Sequence, residues 1–172
     1  MRVRPVTPAD FEELARGLKI VVDEKRWVAI QPPVSEAELA ERLRERLAEG
    51  RLMFALEDPE AEGGPALIGH IDLHRTRIDG VWALGMWILP GARGKGGGRM
   101  LLEAAIDARR ADVHKIELEV WPHNEAAIAL YERLGFEREG LRRDHYRRRD
   151  GKLHSSVIMA RLFPEATPAR SQ

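Results

Sequence analysis

Between residues 91 and 98 the chain reads Gly91-Ala92-Arg93-Gly94-Lys95-Gly96-Gly97-Gly98, and no other stretch restricts the fold as much. Five glycines in eight positions weaken any strand or helix that contains them. The apolar segment Val81–Leu89 reads as a strand running into this cluster. A helix, Arg99 to Arg110, is expected to leave it, with Met100, Leu101, Leu102, Ala105 and Ile106 apolar. A strand that enters a glycine turn and then a helix is an anion site. The first N–H groups of a helix have no internal acceptors, its dipole favours negative charge there, and glycine lets a phosphate approach the backbone. A glycine-rich connection holding no ligand is the plainer alternative.

Two phosphate loops are excluded by spacing. Counting G-x-x-x-x-G from Gly91 reaches Gly96, which is followed by Gly97 rather than lysine, and no Ser or Thr is placed to hold magnesium. The dinucleotide pattern G-x-G-x-x-G fails as well. Gly94 and Gly96 lead to Arg99, while Gly96 and Gly98 lead to Leu101.

The surrounding pattern alternates strands and helices. Residues 2–6 read as a short strand, and Thr7-Pro8-Ala9-Asp10 as a helix start, with Phe11, Leu14, Leu18 and Val21 at helical spacing. Pro32-Pro33 makes Trp27–Val34 a loop. Ser35-Glu36-Ala37-Glu38 is a capping box for a helix bearing Leu39, Leu43 and Leu47. Strands at Leu52–Leu56, Ala66–Leu73 and Val81–Leu89, with a polar turn over 58–65, predict an antiparallel meander. The helix after the glycines and the strand Lys115–Trp121 predict a right-handed crossover and a parallel pair. Asn124 caps a helix from Glu125 to Leu134 that Gly135 ends, a strand starts at Phe136, and Leu153–Leu162 is the last strand. The fold class is therefore α+β. One domain is expected over residues 1–163, followed by a disordered tail over 164–172.

Composition removes several function classes. The 172 residues are 44% hydrophobic and 33% charged, as in globular domains. No apolar run approaches the roughly 18 residues of a membrane span, and Met1-Arg2-Val3-Arg4-Pro5 lacks a signal peptide's apolar stretch, so a cytoplasmic protein is expected. The absence of cysteine removes disulfides, thiolate metal sites and cysteine nucleophiles. Twenty-eight Lys and Arg balance 28 Asp and Glu, which disfavours a nucleic-acid partner. No histidine lies in a metal motif, and no metal is expected.

Two motifs carry a family resemblance. Arg93-Gly94-Lys95-Gly96-Gly97-Gly98 fits R-x-x-G-x-G between strand and helix, and Asn124 to Phe136 fits N-x-x-A-x-x-L-Y-x-x-x-G-F at every fixed position. In this order they resemble the GNAT superfamily of acetyl-coenzyme A-dependent N-acetyltransferases, over about residues 2 to 163. The branch resembled acetylates ribosomal-protein N-termini or amino acids. The resemblance implies a mostly antiparallel sheet with one splayed parallel pair, flanked by helices, and a slot between those two strands for the pantetheine arm. It implies acetyl-coenzyme A contacts from Met86, Trp87, Ile88, Arg93, Gly94, Lys95, Gly96, Gly97, Gly98, Arg99, Asn124, Ala127 and Tyr131. A backbone N–H near Ile88 would face the thioester carbonyl.

Tyr131 is implied as the general acid. A phenol with pKa near ~10 holds its proton at neutral pH, although the helical spacing of Ala127, Tyr131 and Leu134 equally describes a packed aromatic. Glu119 is implied as the base that deprotonates the amine. Its alternation with Leu118 and Val120 also describes a solvated polar face, and a water chain can replace it. His70, His74 and His145 rank lower as bases.

Acceptor contacts are expected from the segments Asp23–Val34 and Arg142–Ser156, with Trp27, Gln31 and His70 as candidates. The second segment carries Arg142, Arg143, Arg147, Arg148 and Arg149, which suit a carboxylate or phosphate or simply a solvated turn. Ser155 stands where relatives often have Asp. The activity implied is transfer of acetyl to a primary amine, of a small molecule, an amino acid or a protein N-terminus, by direct attack in a ternary complex. Transfer of a longer acyl group and a non-catalytic acyl-coenzyme A sensor are the alternatives. Many relatives are homodimers, so a homodimer is compatible with the resemblance.

Overall fold

The computed structural model describes residues 1–60 and 66–165. Along the chain these form β1 (Arg2–Pro5), α1 (Phe11–Asp23), α2 (Glu36–Ala48), β2 (Leu52–Glu57), β3 (Leu67–Arg75) and β4 (Val81–Ile88). Then follow α3 (Gly97–Asp107), β5 (Lys115–Val120), α4 (Glu125–Arg133), β6 (Glu137–Arg147) and β7 (Leu153–Leu162). The hydrogen-bonded strand order is β1-β2-β3-β4-β5-β7-β6. Strands β4 and β5 are parallel, with Val81 opposite Lys115, Trp82 opposite Ile116 and Ala83 opposite Glu117. Antiparallel pairing joins β1 to β2, β2 to β3, β5 to β7 and β6 to β7. The expected α+β sheet, mostly antiparallel with one parallel pair, is present. Parts of two expectations, the polar turn at 61–65 and the tail at 166–172, lie outside the described residues.

Contacts gather the elements into two compact units. The first comprises Met1–His74 and Gly85–Ala108. In it α1 and α2 pack on each other, burying Phe11, Leu14, Leu18 and Val21 of α1 and Leu39 and Leu43 of α2. Leu47 is half-exposed. A single 3-10 turn, Pro8–Asp10, precedes α1. Arg4 holds the Asp10 carboxylate with hydrogen bonds of 2.7 and 2.8 Å, and the Thr7 N–H adds one of 2.7 Å. These donors, Arg4 foremost, lower the Asp10 pKa to about 2 and tie β1 to the start of α1. The capping box forms as read: Ser35 Oγ accepts from the Glu38 N–H at 3.1 Å, and the Glu38 carboxylate accepts from the Ser35 N–H at 2.7 Å.

Helix α3 starts two residues before the expected Arg99 and ends at Asp107 instead of Arg110. Packing overrides the poor helix propensity of glycine here. A Cβ at Gly97 would lie 2.3 Å from Leu56 Cδ2, so any larger residue would force the buried Leu56 side chain to shift where this first turn sits against β2.

The second unit comprises Arg75–Leu84 and Arg109–Gln172. Its core takes Val113, Ile116, Leu118, Tyr131, Phe136, Val157 and Met159. The chain enters β4 through Gly80, whose φ is +69° and whose carbonyl accepts from the N–H groups of His114 (2.9 Å) and Lys115 (3.3 Å). That contact sets where the parallel pair begins. Strand β6 carries two irregularities against β7. From Arg142 to Tyr146 it advances four residues while its partners, Ser156 and His154, are two apart. The two additional residues form a bulge, in which Asp144 has a φ of +51° and donates its N–H to Ser155 Oγ at 3.0 Å.

A Cβ at Gly80 would meet His114 Nδ1 at 2.4 Å and the Asp112 carbonyl at 3.0 Å. Gly80→Ala is therefore expected to cost about 2 kcal/mol or more, the left-handed φ adding to the clash. A urea unfolding midpoint equal to wild type would refute this.

Candidate functional site

In the first unit the glycine loop has the geometry that an anion needs. Gly94 and Gly96 take φ of +74° and +87°, with open space where a side chain would stand at Gly91, Gly94 and Gly96. The N–H of Arg93 returns to the Pro90 carbonyl, and the N–H of Arg99 and Met100 return to Gly96. Between them the N–H groups of Gly94 to Gly98 have no acceptor among the described residues. Gly97 and Gly98 are buried, while Gly94, Lys95 and Gly96 are exposed. On β4, Met86 and Ile88 share one half-buried face and Trp87 lies buried on the other.

The two loop cations differ. Arg93 is committed to protein: Nε donates to the Ile88 carbonyl at 3.0 Å, and the two terminal nitrogens grip Glu24 at 2.9 and 2.5 Å. Arg93, with the Trp27 N–H and Arg26, holds the Glu24 pKa below its usual value despite partial burial. Trp27 donates to Glu24 at 3.2 Å and lies under both Arg26 and Arg93. The Arg93 side chain thus lies against the segment expected to select the acceptor, while its place in the loop leaves the backbone contact expected of it open. Lys95 extends from the exposed part of the loop, and Arg99 pairs with Glu103 along α3 at 2.8 Å. Gln31 is half-buried in the segment of Trp27.

His70 and His74 both lie inside β3. His70 is 1% exposed, packs on Trp87 with ring centroids 6.2 Å apart, and leaves Nε2 without a partner; Trp87 Nε1 is likewise enclosed and unpaired. Burial lowers the His70 pKa to about 4, so the ring is neutral at pH 7. Asp72, its neighbour on the same face, is 5% exposed along its side chain and is met by Arg46 (3.3 Å), Arg51 (3.1 Å) and His74 Nδ1 (3.2 Å). Burial pushes this carboxyl up, but the His74 hydrogen bond and the surrounding positive charge outweigh it and hold it well below the usual range.

In the second unit the Asn motif is arranged as read. Asn124 Oδ1 caps α4 by accepting from the Ala127 N–H at 3.4 Å. Tyr131 is buried beside Phe136, ring centroids 5.8 Å apart, and burial raises its pKa to about 12. Its hydroxyl makes no hydrogen bond among the described residues, and the residue is 6% exposed.

Glu119 is less free than a solvated strand face implies. Oε1 accepts from Arg142 at 2.6 Å, and Oε2 accepts from Tyr146 (3.0 Å) and Ser156 (2.6 Å). Register explains the meeting. Glu119 pairs with Ile158, Ser156 is two residues along on the same face, and the β6 bulge keeps Arg142 and Tyr146 on that face too. Tyr146 and Ser156 were missed as partners because no local pattern marks them; the strand register alone brings them to Glu119. His145 is exposed and stacks edge-on against Tyr146. Among the described residues no group of three or more acidic, His or Cys side chains is placed to hold a metal, and no helix is long and apolar enough to cross a membrane.

The fold is that of acetyltransferases. It superposes on a phosphinothricin acetyltransferase of the GNAT superfamily from Sinorhizobium meliloti, solved with AcCoA, at TM-score 0.80 and 23% identity, over 98% of this chain and 93% of that one. A ribosomal-protein-alanine N-acetyltransferase from Brucella melitensis gives TM-score 0.80 and 23% identity over 95% and 100%. Residues 19–136 match the acetyltransferase (GNAT) family, and the chain belongs to it. It is 48% identical over 58 residues to the N-alpha-acetyltransferase RimI of Mycobacterium tuberculosis, which is 34% of this chain and 35% of that protein. It is 44% identical over 72 residues to the ribosomal protein bS18-alanine N-acetyltransferase of Escherichia coli K12, 41% and 48% of the two chains. The chain thus spans a third to a half of the length of these curated relatives.

The two buried groups of β3 titrate in separate windows. The folded His70 pKa of about 4 lies below the unfolded 6.5, so the unfolded state binds more protons between those values and stability falls as pH falls. Asp72 acts only below its unfolded pKa of 3.8, where its stabilising charge is lost. Between pH 7.5 and pH 5, wild type is expected to lose about 2 kcal/mol through His70, a loss absent from His70→Phe. Parallel pH profiles for the two proteins in urea unfolding would refute this.

Proposed function

We propose that this chain is an acetyl-coenzyme A-dependent N-acetyltransferase whose acceptor is a primary amine, with a protein N-terminus as the favoured class. The observation that carries the reading is the run of unpartnered N–H groups from Gly94 to Gly98 at the start of α3, with nothing in the space before Gly94 and Gly96. A coenzyme pyrophosphate fits that cradle: it supplies several anionic oxygens, and side chains larger than glycine would fill the approach. Lys95 adds a positive charge at the exposed part of the loop. The relatives named for acetylating the alanine of bS18 support the N-terminal acceptor.

Acetyl-coenzyme A, when bound, supplies an acetyl thioester open to attack by an amine and a thiol as leaving group. Tyr131 holds a proton at its phenol oxygen throughout the neutral range. Its burial opposes ionisation, so it donates best to a thiolate that is itself desolvated. Glu119 answers the acceptor's ammonium and takes up its proton, directly or through water, while Tyr146 and Ser156 fix its Oε2. Arg93 orients the end of β4 through the Ile88 carbonyl and leaves phosphate contact to the backbone and Lys95.

Calorimetry is expected to give saturable micromolar binding of acetyl-coenzyme A and desulfo-coenzyme A, and none of ATP. No binding of either coenzyme would overturn the reading. Tyr131→Phe should lower kcat by about 10²-fold or more while leaving the acetyl-coenzyme A Kd unchanged. An unaltered kcat would remove Tyr131 as the acid.

A further inference from the structure

Three of the engaged carboxylates in this chain are held in different ways. Asp10 is gripped by two nitrogens of Arg4 and by the Thr7 N–H. Asp72 is enclosed by two arginines and a histidine, with 5% of its side chain exposed. Glu119 has one fixed side and one loose side. Oε2 is held by two neutral hydroxyls, one of them on the fully buried Ser156. Oε1 has a single bond from one nitrogen of Arg142, whose side chain is 45% exposed while that of Glu119 is 30% exposed. The wall beside it is aromatic: Trp121 is buried, and Tyr146 and His154 meet it edge-on at 5.1 and 5.7 Å. Aromatic faces attract positive charge, and the Trp121 ring already carries one cation, the Arg148 guanidinium 5.9 Å from its centroid.

We propose that Arg142 is a stand-in for the acceptor's ammonium, occupying Glu119 Oε1 until the amine displaces it, and is thereby a specificity-determining residue. This rests on the acetyltransferase reading above. An alkylammonium makes the same charge-assisted hydrogen bond as a guanidinium nitrogen, so the exchange replaces like with like. A half-exposed, single-pronged ion pair is worth at most about fivefold in an equilibrium constant, so Arg142 is displaced at little cost. It still competes, and it favours acceptors that bring a full positive charge over neutral groups of the same size. The other Arg142 nitrogens make no bond among the described residues, so its release breaks nothing else.

The test titrates the full chain by calorimetry with trialanine amide, which has a free N-terminal ammonium, and with its N-acetylated form. Arg142→Gln is expected to bind the free-amine peptide about three- to fivefold more tightly than wild type, Arg142→Lys to bind it as wild type does, and no variant to change its affinity for the acetylated peptide. Adding Glu119→Gln should abolish the gain. Equal or weaker binding by Arg142→Gln, a gain that survives Glu119→Gln, or no binding of the free-amine peptide by any protein would each overturn the proposal. Because the readout is ammonium binding, loss of the acetyltransferase reading shows separately, as absent acetyl-coenzyme A binding in the same instrument.

Discussion

An α-helix begins with N–H groups that have no acceptor of their own, and most helices satisfy them with a side-chain cap or water. Helix α3 has no side-chain cap: its N-cap is Gly96 in the left-handed region, and two further glycines form its first turn. The rest of the first unit conforms to that choice. Leu56 of β2 occupies the space that a Cβ at Gly97 would need, and Arg93 spans from the Ile88 carbonyl to Glu24 so that the loop is held from behind. A loop secured by its own arginine can present bare backbone on its other side without losing its shape.

Charge in this chain is balanced globally and sorted locally. Equal numbers of basic and acidic side chains leave no net field to gather a polyanion. What remains is a set of short-range pairs whose surroundings decide their behaviour. Asp10 and Asp72 are ionised throughout the physiological range and act as fasteners. His70 is kept neutral chiefly by burial, with help from the Arg46 charge and against its neighbour Asp72, which would favour the charged ring. Glu119 keeps contact with water and with a mobile class of side chain, which separates it from the other two.

Much of this was legible in the sequence. Apolar repeats and terminal signals such as Ser35 to Glu38 or Asn124 placed the four helices and six of the seven strands of the described residues, while the polar run of β6 was legible only at its start, after Phe136. The motif from Asn124 to Phe136 has the cap and buried tyrosine that its spacing implied. Propensity misplaced the start of α3, since tertiary contact at Leu56 outweighs what glycine costs a helix. The side-chain partner of Arg93 was also illegible: nothing local in a glycine loop points to Glu24, 69 residues away in the chain. The partners of Glu119 depend on the register of three strands and on a bulge, neither of which any local pattern encodes.

The bulge between Arg142 and Tyr146 has a further effect on how such a site can diversify. A regular strand fixes the order in which its side chains face a neighbour, so a length change shifts every one of them to the opposite face. Here two surplus residues already lie outside the ladder, anchored through the Asp144 N–H to Ser155. Residues gained or lost within this short excursion can be taken up outside the ladder, so that the pairing of Ser156 with Arg142 and of His154 with Tyr146, and with it the set of donors at Glu119, stays in place. The hairpin thus works as a length buffer, in which the chain beside Glu119 can vary while the sheet that carries it keeps its register.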